Sequence, residues 1–317
     1  IILTQKNLYL QNCKMSDIKK VPASPKVRKF ARELGANINE IIGSERDGRV
    51  TEKDIKIFIN SKVKNKPQID KPNLKSEFDH SDFGEIEIKE IPRVKKIAAP
   101  HLSNSWNTIP HVTHHDDIDI TELEDFRSNL IDSISGEKIK ITPLAFIAKA
   151  LTNNLKKFPT FNSSIDNIDN GKITIKKYFH IGIAVDTPHG LMVPKVRNVD
   201  KKKIKEIATE LKEISDLSRK LKINKKEFFG GSITITSLGG IGGTYFTPII
   251  NFPEVAILGI GRSYKKQIFI NNKFLARTVL PISLSYDHRI IDGAEAAKFC
   301  NALKESLGKN FAYNLAF

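Results

Sequence analysis

Residues 61–84, SKVKNKPQIDKPNLKSEFDHSDFG, interrupt the chain with two prolines, many charged side chains and no apolar repeat. Such a segment cannot bury enough apolar surface to fold by itself, so it predicts a flexible linker. The chain must therefore build separate hydrophobic cores on the two sides of this segment. We expect a loose tail over residues 1–21, a small folded unit over 22–60 and a large domain over 85–317.

The composition permits two cores. The 317 residues are enough for roughly two domains, and 40% of them are hydrophobic. No apolar stretch is long enough to cross a membrane, so we expect a cytoplasmic protein without membrane contact. Cys13 and Cys300 are far apart in sequence and give no disulfide framework, which is typical of a reducing compartment. The chain starts at Ile1 rather than at a methionine, and we expect it to be part of a longer protein.

The small unit is predicted to contain two short helices around an irregular loop. Ser24 is a good N-cap with Pro25 at the first helical position, and Gly35 ends that helix. Thr51 and Asp54 have the spacing of a capping box at the start of the second helix. A unit of roughly 40 residues is near the lower limit for independent folding, which favours a binding role.

The formal net charge of +15 is compatible with nucleic acid, acidic proteins or phosphate-bearing ligands as partners. In the small unit, Arg28 and Arg32 are at positions i and i+4 and so project from one helix face. Together with Arg49 they suit an acidic protein surface as well as a phosphate, although ordinary solvated charge explains them too. No nucleic-acid-binding motif accompanies the charge, so we expect no nucleic-acid partner.

The large domain mixes strand patterns with helix patterns, which predicts one α/β domain. Predicted helices begin at Thr121, Thr142, residue 201 and Asp292. The predicted strands are HVTHHDDIDI (111–120), FHIGIAVDT (179–187), SITITS (232–237), VAILGIG (255–261), QIFI (267–270) and RTVLPISLSY (277–286).

The last predicted strand runs into a histidine flanked by two charges and then into a helix start, in SLSYDHRIIDGAEAAKF (283–299). Ligands collect where strands meet helix N-termini in α/β proteins, and an imidazole can take up a proton near neutral pH. No cysteine nucleophile lies nearby in the sequence, so we expect His288 to activate a substrate group. Asp292 is a good N-cap in any case, and pairing with other charges explains Asp287 and Arg289.

Two glycine-rich segments are similar to nucleotide-binding loops but miss the required pattern. In SLGGIGGTYF (237–246) and ILGIGRSY (257–264), the sixth position of the dinucleotide motif is Tyr245 or Tyr264 instead of glycine. No Walker lysine follows either segment. Turns and close backbone packing explain both.

The segment HVTHHDD (111–117) suggests a metal site only at first sight. On a strand, His114 and Asp116 lie on one face whereas His115 and Asp117 lie on the other. The candidate ligands are therefore divided, and neither a second cluster nor a cysteine completes a site. We expect no metal.

The motif DHRIIDG (287–293) resembles the DHRxxDG signature of the dihydrolipoamide acyltransferases, the cores of 2-oxo acid dehydrogenase complexes. It is also similar to the shorter HxxxDG motif of chloramphenicol acetyltransferase. Four further segments resemble the acyltransferases in order: IPHVTHHDDIDITELEDFR, ITPLAFIAKAL, IGIAVDTPHGLMVP and SITITSLGGIGGTYFTPIINFPEVAILGIG. VPASPKVRKFARELGANINEIIGSERDGRVTEKDI resembles the peripheral-subunit-binding domain that precedes such cores. The resemblance extends over residues 22–307.

The resemblance implies a core like that of chloramphenicol acetyltransferase, in which helices flank a mixed sheet, behind a small all-α domain. Trimers of such cores assemble further, here into a cubic core. The chain looks most like the pyruvate branch, which implies acetyl transfer between a dihydrolipoyl arm and coenzyme A. Cores that carry succinyl or branched acyl groups are the alternative. The implied partners are pyruvate dehydrogenase and dihydrolipoamide dehydrogenase, bound by residues 22–60 through Arg28, Arg32 and Arg49.

The resemblance also implies residue roles. His288 would be the general base for the thiol of coenzyme A, and Asp292 would hold the local structure through charge pairing. Thr236, followed by Ser237, stands where relatives often have a serine that donates a hydrogen bond to the oxyanion. The family carries its lipoyl group on an N-terminal domain, which we expect to be absent from this chain. A scaffold without activity is the alternative from another class, and the intact DHRxxDG motif argues against it.

Overall fold

A computed structural model describes residues 21–64, 78–131, 136–165 and 171–316. All of the predicted tail except Val21 and most of the predicted linker lie outside these residues. The chain forms two compact units, divided between Glu87 and Ile88, and each unit is described by itself. Among the described helices, none is both long and apolar enough to span a lipid bilayer.

The first unit is helical, as predicted. Helix α1 spans Pro25–Glu33 and helix α2 spans Glu52–Lys64, and two 3-10 turns, Ile38–Glu40 and Arg46–Gly48, lie between them. The core of the unit consists of five buried side chains, namely Val27, Ala31, Ile41, Val50 and Ile55.

Both predicted helix starts of this unit are confirmed. The Ser24 hydroxyl accepts a hydrogen bond from the N–H of Val27 at 3.3 Å. At α2, the Thr51 N–H donates to the Asp54 carboxylate at 2.9 Å, and the Asp54 N–H donates back to the Thr51 hydroxyl at 3.3 Å. Gly35 has a φ of +65°, the left-handed conformation that ends a helix such as α1.

The second unit contains six helices and nine strands among its described residues. The helices are α3 (Arg93–Thr108), α4 (Thr121–Ser128), α5 (Pro143–Lys157), α6 (Ile204–Arg219), α7 (Gly293–Leu307) and α8 (Phe311–Ala316). The strands are β1 (His111–Asp119), β2 (Ser163–Ser164), β3 (Thr174–Ile175), β4 (Ile181–Ile183), β5 (Lys195–Val196), β6 (Ile233–Ser237), β7 (Ala256–Ile260), β8 (Tyr264–Ile270) and β9 (Lys273–Asp287).

The main sheet has seven strands in the order β1-β9-β7-β6-β4-β5, and β8 pairs with the first half of β9. Strands β4, β6 and β7 are parallel, whereas β9 is antiparallel to β1, β7 and β8. Strands β2 and β3 form a separate small pair. This mixed sheet with its helices confirms the predicted fold class.

The two faces of the sheet differ in chemistry. One face is covered by the main hydrophobic core, to which β6 contributes Ile233 and Ile235. The opposite face carries hydroxyl and imidazole groups on neighbouring strands, where Thr113 of β1 bonds Ser285 of β9 at 2.8 Å and His115 bonds Ser283 at 2.9 Å. Functional groups are therefore concentrated on this polar face of the sheet.

Helix α3 is the main element that the sequence patterns did not predict. Pro100 lies inside it, and a proline removes one helix hydrogen bond, so its presence argues against a helix. Most of its side chains are also exposed, including Ile97 at 67%, Leu102 at 41% and Trp106 at 55%. Without a buried stripe, the sequence gives no helical period to detect.

Candidate active site

His288 lies in the turn between the end of β9 and the start of α7. Its backbone N–H donates to the carbonyl of Pro110 at 3.1 Å, which fixes the turn against the start of β1. The exposed imidazole lies 5.9 Å from the ring of Tyr286. Within the described part of the chain the ring makes no hydrogen bond, so both of its nitrogens are accessible.

Asp287 and Arg289, the two charges that flank His288, pair with each other. The guanidinium of Arg289 donates to both carboxylate oxygens of Asp287, at 2.9 Å and 2.6 Å. The hydrogen bond that Arg289 donates to Asp287 raises the pKa of the guanidinium. Asp287 is buried and its N–H donates to the carbonyl of Val255 at 2.8 Å. The pair therefore anchors the backbone on both sides of the histidine.

Asp292 is the N-cap of α7, since its carboxylate accepts a hydrogen bond from the N–H of Glu295 at 2.7 Å. A negative charge at a helix N-terminus is stabilised by the helix dipole. Among the described residues, the carboxylate of Asp292 makes this capping hydrogen bond and no ion pair. The family resemblance had implied charge pairing instead. The carboxylate of Asp292 thus fixes the direction in which α7 leaves the histidine turn.

Thr236 lies near the end of β6 and pairs with Gly259 of β7. Its side chain is half-buried on the polar face, and its hydroxyl makes no hydrogen bond within the described residues. The neighbouring Ser237 is exposed, points to the other face and accepts the N–H of Gly239 at 3.3 Å. Of the two hydroxyls, the one on Thr236 is thus the unused donor on the polar face.

The structure does not bring Thr236 and His288 together within one chain. Thr236 pairs through Gly259 with Ser283 of β9, whereas His288 follows Asp287, which pairs with His111 at the other end of the sheet. Ser283 and Asp287 are four positions apart on the extended strand β9, which is about 13 Å along the strand. The hydroxyl and the imidazole of one chain cannot contact the same reacting atoms.

A cavity of about 860 Å³ opens beside the end of β6. Its size is within the usual range for small-molecule sites. Apolar side chains such as Ile183, Leu211 and Ile241 form part of its wall. Its polar and charged lining consists of Thr142, Asp186, Thr187, Lys212, Ser215, Asp216, Arg219 and Ser237. Because Ser237 lines the cavity, the cavity reaches the end of β6 from the face opposite to the side chain of Thr236.

The glycine-rich segment after β6 is anchored by a tyrosine whose role the sequence patterns missed. The Tyr245 hydroxyl donates to the Asp117 carboxylate at 2.6 Å, and Lys266 donates to the other oxygen at 2.7 Å. The pKa of Asp117 is lowered by these donors although burial acts in the opposite direction, and burial raises the pKa of Tyr245. The only sign of this role in the sequence is that Tyr245 occupies a position where the dinucleotide motif requires glycine.

The histidines and carboxylates of β1 are divided between the two faces of the strand and contact different partners. His115 bonds Ser283, and Asp116 pairs with Lys304 at 2.5 Å. Over the ranges that the structure describes, no group of three or more His, Cys, Asp or Glu side chains is arranged to hold a metal ion.

In the first unit, the three arginines have different surroundings. Arg28 is half-buried, and its guanidinium donates to the carbonyls of Val21 at 2.6 Å and Ala23 at 3.3 Å. Arg32 and Arg49 are exposed. Two of the three guanidinium groups are therefore available to a partner, whereas the third also holds the segment before α1.

Comparison with known proteins gives two family matches. Residues 83–313 match the 2-oxoacid dehydrogenases acyltransferase (catalytic domain), and residues 21–56 match the e3 binding domain. Two curated relatives are similar in sequence, both named dihydrolipoyllysine-residue acetyltransferase component of pyruvate dehydrogenase complex. The protein from Cupriavidus necator is 46% identical over 87% of this chain, and the one from Haemophilus influenzae is 43% identical over 89%. The chain spans 52% of the length of each.

Two solved structures are similar as well, each with a TM-score of 0.72 over 76% of this chain and 98% of the other. One is the dihydrolipoamide acetyltransferase of Azotobacter vinelandii, 43% identical, studied for the role of a serine, a histidine and an asparagine in its catalytic mechanism. The other is the cubic core of a pyruvate dehydrogenase multienzyme complex, 42% identical.

Proposed function

Because the chain belongs to the family of 2-oxoacid dehydrogenase acyltransferases, we propose that it transfers an acetyl group between a dihydrolipoyl arm and coenzyme A. It does so as the core of a pyruvate dehydrogenase complex in a bacterial cytoplasm. The dihydrolipoyl arm is a substrate carried on a domain outside the residues described. The names of the similar relatives support the acetyl group and the complex.

One observation carries the proposal. The serine, histidine and asparagine studied in the Azotobacter vinelandii enzyme are separated from one another by the same numbers of residues as Thr236, His288 and Asp292 are here. This chain keeps the histidine, keeps a hydroxyl in place of the serine and has a carboxylate in place of the asparagine. The unbonded hydroxyl of Thr236 and the accessible imidazole of His288 agree with roles as oxyanion donor and general base.

The separation of these two groups implies that the active site is shared between two copies of the chain. One copy supplies His288 and its neighbour supplies Thr236, because a single copy holds them at opposite ends of its sheet. The similarity to a cubic core supports such assembly. Trimers that assemble further would repeat the site at each contact between neighbours.

The reaction follows from these groups. His288 removes the proton from the thiol of coenzyme A, and the thiolate attacks the thioester carbonyl of acetyl-dihydrolipoamide. The negative charge on the carbonyl oxygen is stabilised by a hydrogen bond from Thr236. When the tetrahedral intermediate collapses, the new thioester of coenzyme A remains and the dihydrolipoyl thiolate leaves. That thiolate takes the proton from the imidazolium of His288.

The cavity beside β6 is the proposed site for coenzyme A. The apolar wall suits the pantetheine chain, and Lys212 and Arg219 suit the phosphates. Arg219 lies 3.7 Å from Asp216 in a half-exposed ion pair, so a phosphate can compete for its guanidinium. From this cavity the thiol would pass the end of β6 to reach the face that carries the side chain of Thr236.

We propose that the first unit, residues 22–60, binds pyruvate dehydrogenase and dihydrolipoamide dehydrogenase. The match of residues 21–56 to the e3 binding domain supports the second partner. Arg32 and Arg49 are exposed cations that suit acidic surfaces. Arg28 contributes the guanidinium N–H groups that do not donate to the carbonyls of Val21 and Ala23.

The proposed reaction is tested with free dihydrolipoamide and acetyl-, succinyl- and branched acyl-coenzyme A, compared side by side. We expect the acetyl compound to have the highest kcat/KM and His288→Ala to abolish most of the turnover. A preference for succinyl or branched acyl groups would assign the chain to another complex of the family. No transfer with any of the three would leave the scaffold role.

A further inference from the structure

A buried ion pair that the proposed mechanism does not use lies next to the strand that carries Thr236. Lys195 Nζ lies 2.6 Å from a carboxylate oxygen of Glu254, and the two side chains are 1% and 2% exposed. Charged side chains are rarely buried to this extent, and the desolvation penalty often exceeds what their attraction returns. Such a pair therefore calls for a function beyond stability.

The ion pair is placed by the register of three neighbouring strands. Lys195 of β5 pairs with Gly182 of β4, and Gly182 pairs with Thr234 of β6. The lysine side chain crosses above the glycine, since a Cβ on Gly182 would lie only 2.6 Å from Lys195 Nζ. Any other residue at position 182 would therefore block the path of the lysine toward β6.

The carboxylate of Glu254 is directed at β6 as well. It accepts hydrogen bonds from the Thr234 hydroxyl at 2.6 Å and from the side-chain amide of Asn251 at 3.1 Å. Lys195 also donates to the Thr234 hydroxyl at 3.3 Å. Thr234 and Thr236 are successive residues on one face of the strand, so their side chains are about 7 Å apart.

The negative charge of Glu254 consequently lies within roughly 10 Å of the proposed oxyanion site. In a buried site, two like charges at this distance repel each other enough to change a rate about tenfold. We propose that Lys195 neutralises Glu254 so that Thr236 can stabilise a developing oxyanion. Lys195 is then a positioning residue that acts through Glu254, and this role rests on the proposed function of Thr236.

The two partners have opposite expected effects, which separates this role from a purely structural one. Lys195→Met leaves the carboxylate unbalanced, so kcat falls about tenfold with KM unchanged. Glu254→Gln leaves the lysine charge, which favours the oxyanion, so kcat stays at or above that of the wild type. The double variant Lys195→Met/Glu254→Gln contains neither charge and returns to within about twofold of the wild-type kcat.

The measurement is acetyl transfer to free dihydrolipoamide by the assembled protein at several pH values between about 7 and 9. The assays are run below the unfolding temperature of every variant. The matched control is Lys304→Met, which removes a lysine from an ion pair with Asp116 on the opposite face of β1. Its kcat should stay within about twofold of the wild type.

Equal losses of kcat in Lys195→Met and Glu254→Gln would overturn the proposed charge role, because a structural pair loses the same contact from either side. An unchanged kcat in Lys195→Met would also overturn the charge role, provided that kcat of Thr236→Val is reduced. If Lys195→Met does not fold, Glu254→Gln and the double variant still decide, since a lowered kcat in either contradicts the role. A Thr236→Val variant with wild-type kcat would instead overturn the oxyanion donor itself.

Discussion

Thr236 and His288 lie at opposite ends of the same sheet, although both are at positions that match catalytic residues studied in a similar enzyme. Strand β9 passes both positions. Its residue Ser283 is in register with Thr236 through Gly259, and its last residue, Asp287, directly precedes His288. A chain that is folded but alone would therefore have two incomplete half-sites. The proposed acetyl transfer therefore requires a contact between two copies of the chain.

Mixing two inactive variants should restore part of the activity. His288→Ala removes the proposed base and Thr236→Val removes the proposed donor, but a contact between one copy of each can still contain one intact site. We expect homogeneous samples of either variant to be impaired and samples reassembled from both to regain turnover. Transfer is measured before and after dissociation and reassembly. Mixtures without any gain would show that both groups act within one copy.

His288→Ala alone should lower kcat by roughly two to four orders of magnitude, because it removes the proposed general base. Assembly size, measured by light scattering, should not change, since the exposed imidazole makes no hydrogen bond among the described residues. His114→Ala is the matched control, because this histidine is on β1 and outside the proposed mechanism. Near-normal turnover in His288→Ala would refute the assignment.

Thr236→Val keeps the shape and the β-branch of the side chain but removes the hydroxyl. We expect kcat to fall by roughly 10²–10³-fold with little change in KM, and we expect Thr236→Ser to stay active. If the residue serves only strand propensity, valine is neutral. Ser237→Ala is the control on the other face of β6, and a loss of activity there with a normal Thr236→Val would identify Ser237 as the donor.

Charge reversal in the first unit should weaken partner binding without affecting acetyl transfer. Arg32→Glu and Arg49→Glu change exposed guanidinium groups, so we expect slower association and a flatter salt dependence. Binding of dihydrolipoamide dehydrogenase is measured by surface plasmon resonance at several salt concentrations. Arg28→Glu should also loosen the segment before α1, because it loses the bonds to Val21 and Ala23. A loss of transfer activity without weaker binding would contradict this division of labour.

The first unit should lose stability in acid through Asp54. The N–H of Thr51 is the main cause that lowers the pKa of this carboxyl from 3.8 to about 2. A carboxyl whose pKa is lower in the folded state stabilises the fold above its unfolded pKa, and this contribution is lost as the pH falls toward the folded value. We expect the loss between about pH 4 and pH 2. NMR signals of residues 21–64 in the whole chain report it.

The variant Asp54→Asn tests the same prediction by removing the ionisable carboxyl group. The variant should be less stable than the wild type at neutral pH and should lose less further stability in this acid range. Asp47→Asn is the control, because Asp47 is exposed and has a φ of 61° that asparagine tolerates. A wild-type acid profile in Asp54→Asn would assign the acid sensitivity to other carboxyls.

Much of the site could be predicted from local sequence because it is built from local geometry. The helix start at Asp292 depends on residues three positions apart, and the strand that ends at His288 is a nearly continuous apolar run. What the sequence could not reveal is contact between distant segments. The ion pair of Lys195 and Glu254 and the contact between Tyr245 and Asp117 join residues whose spacing follows no period. Their closeness depends on strand order, which no local pattern encodes.

Strand β9 has a consequence for the way this chain is made. It is synthesised after β1, β7 and β8, yet it is the partner of all three, and His115 must wait for Ser283 to complete its hydrogen bond. Contacts between such distant segments form slowly because a long loop must close first. The sheet can close only after residues 273–287 have left the ribosome. Until then, the unpaired edges of β1 and β7 are exposed, which makes this stage of synthesis the one most prone to aggregation.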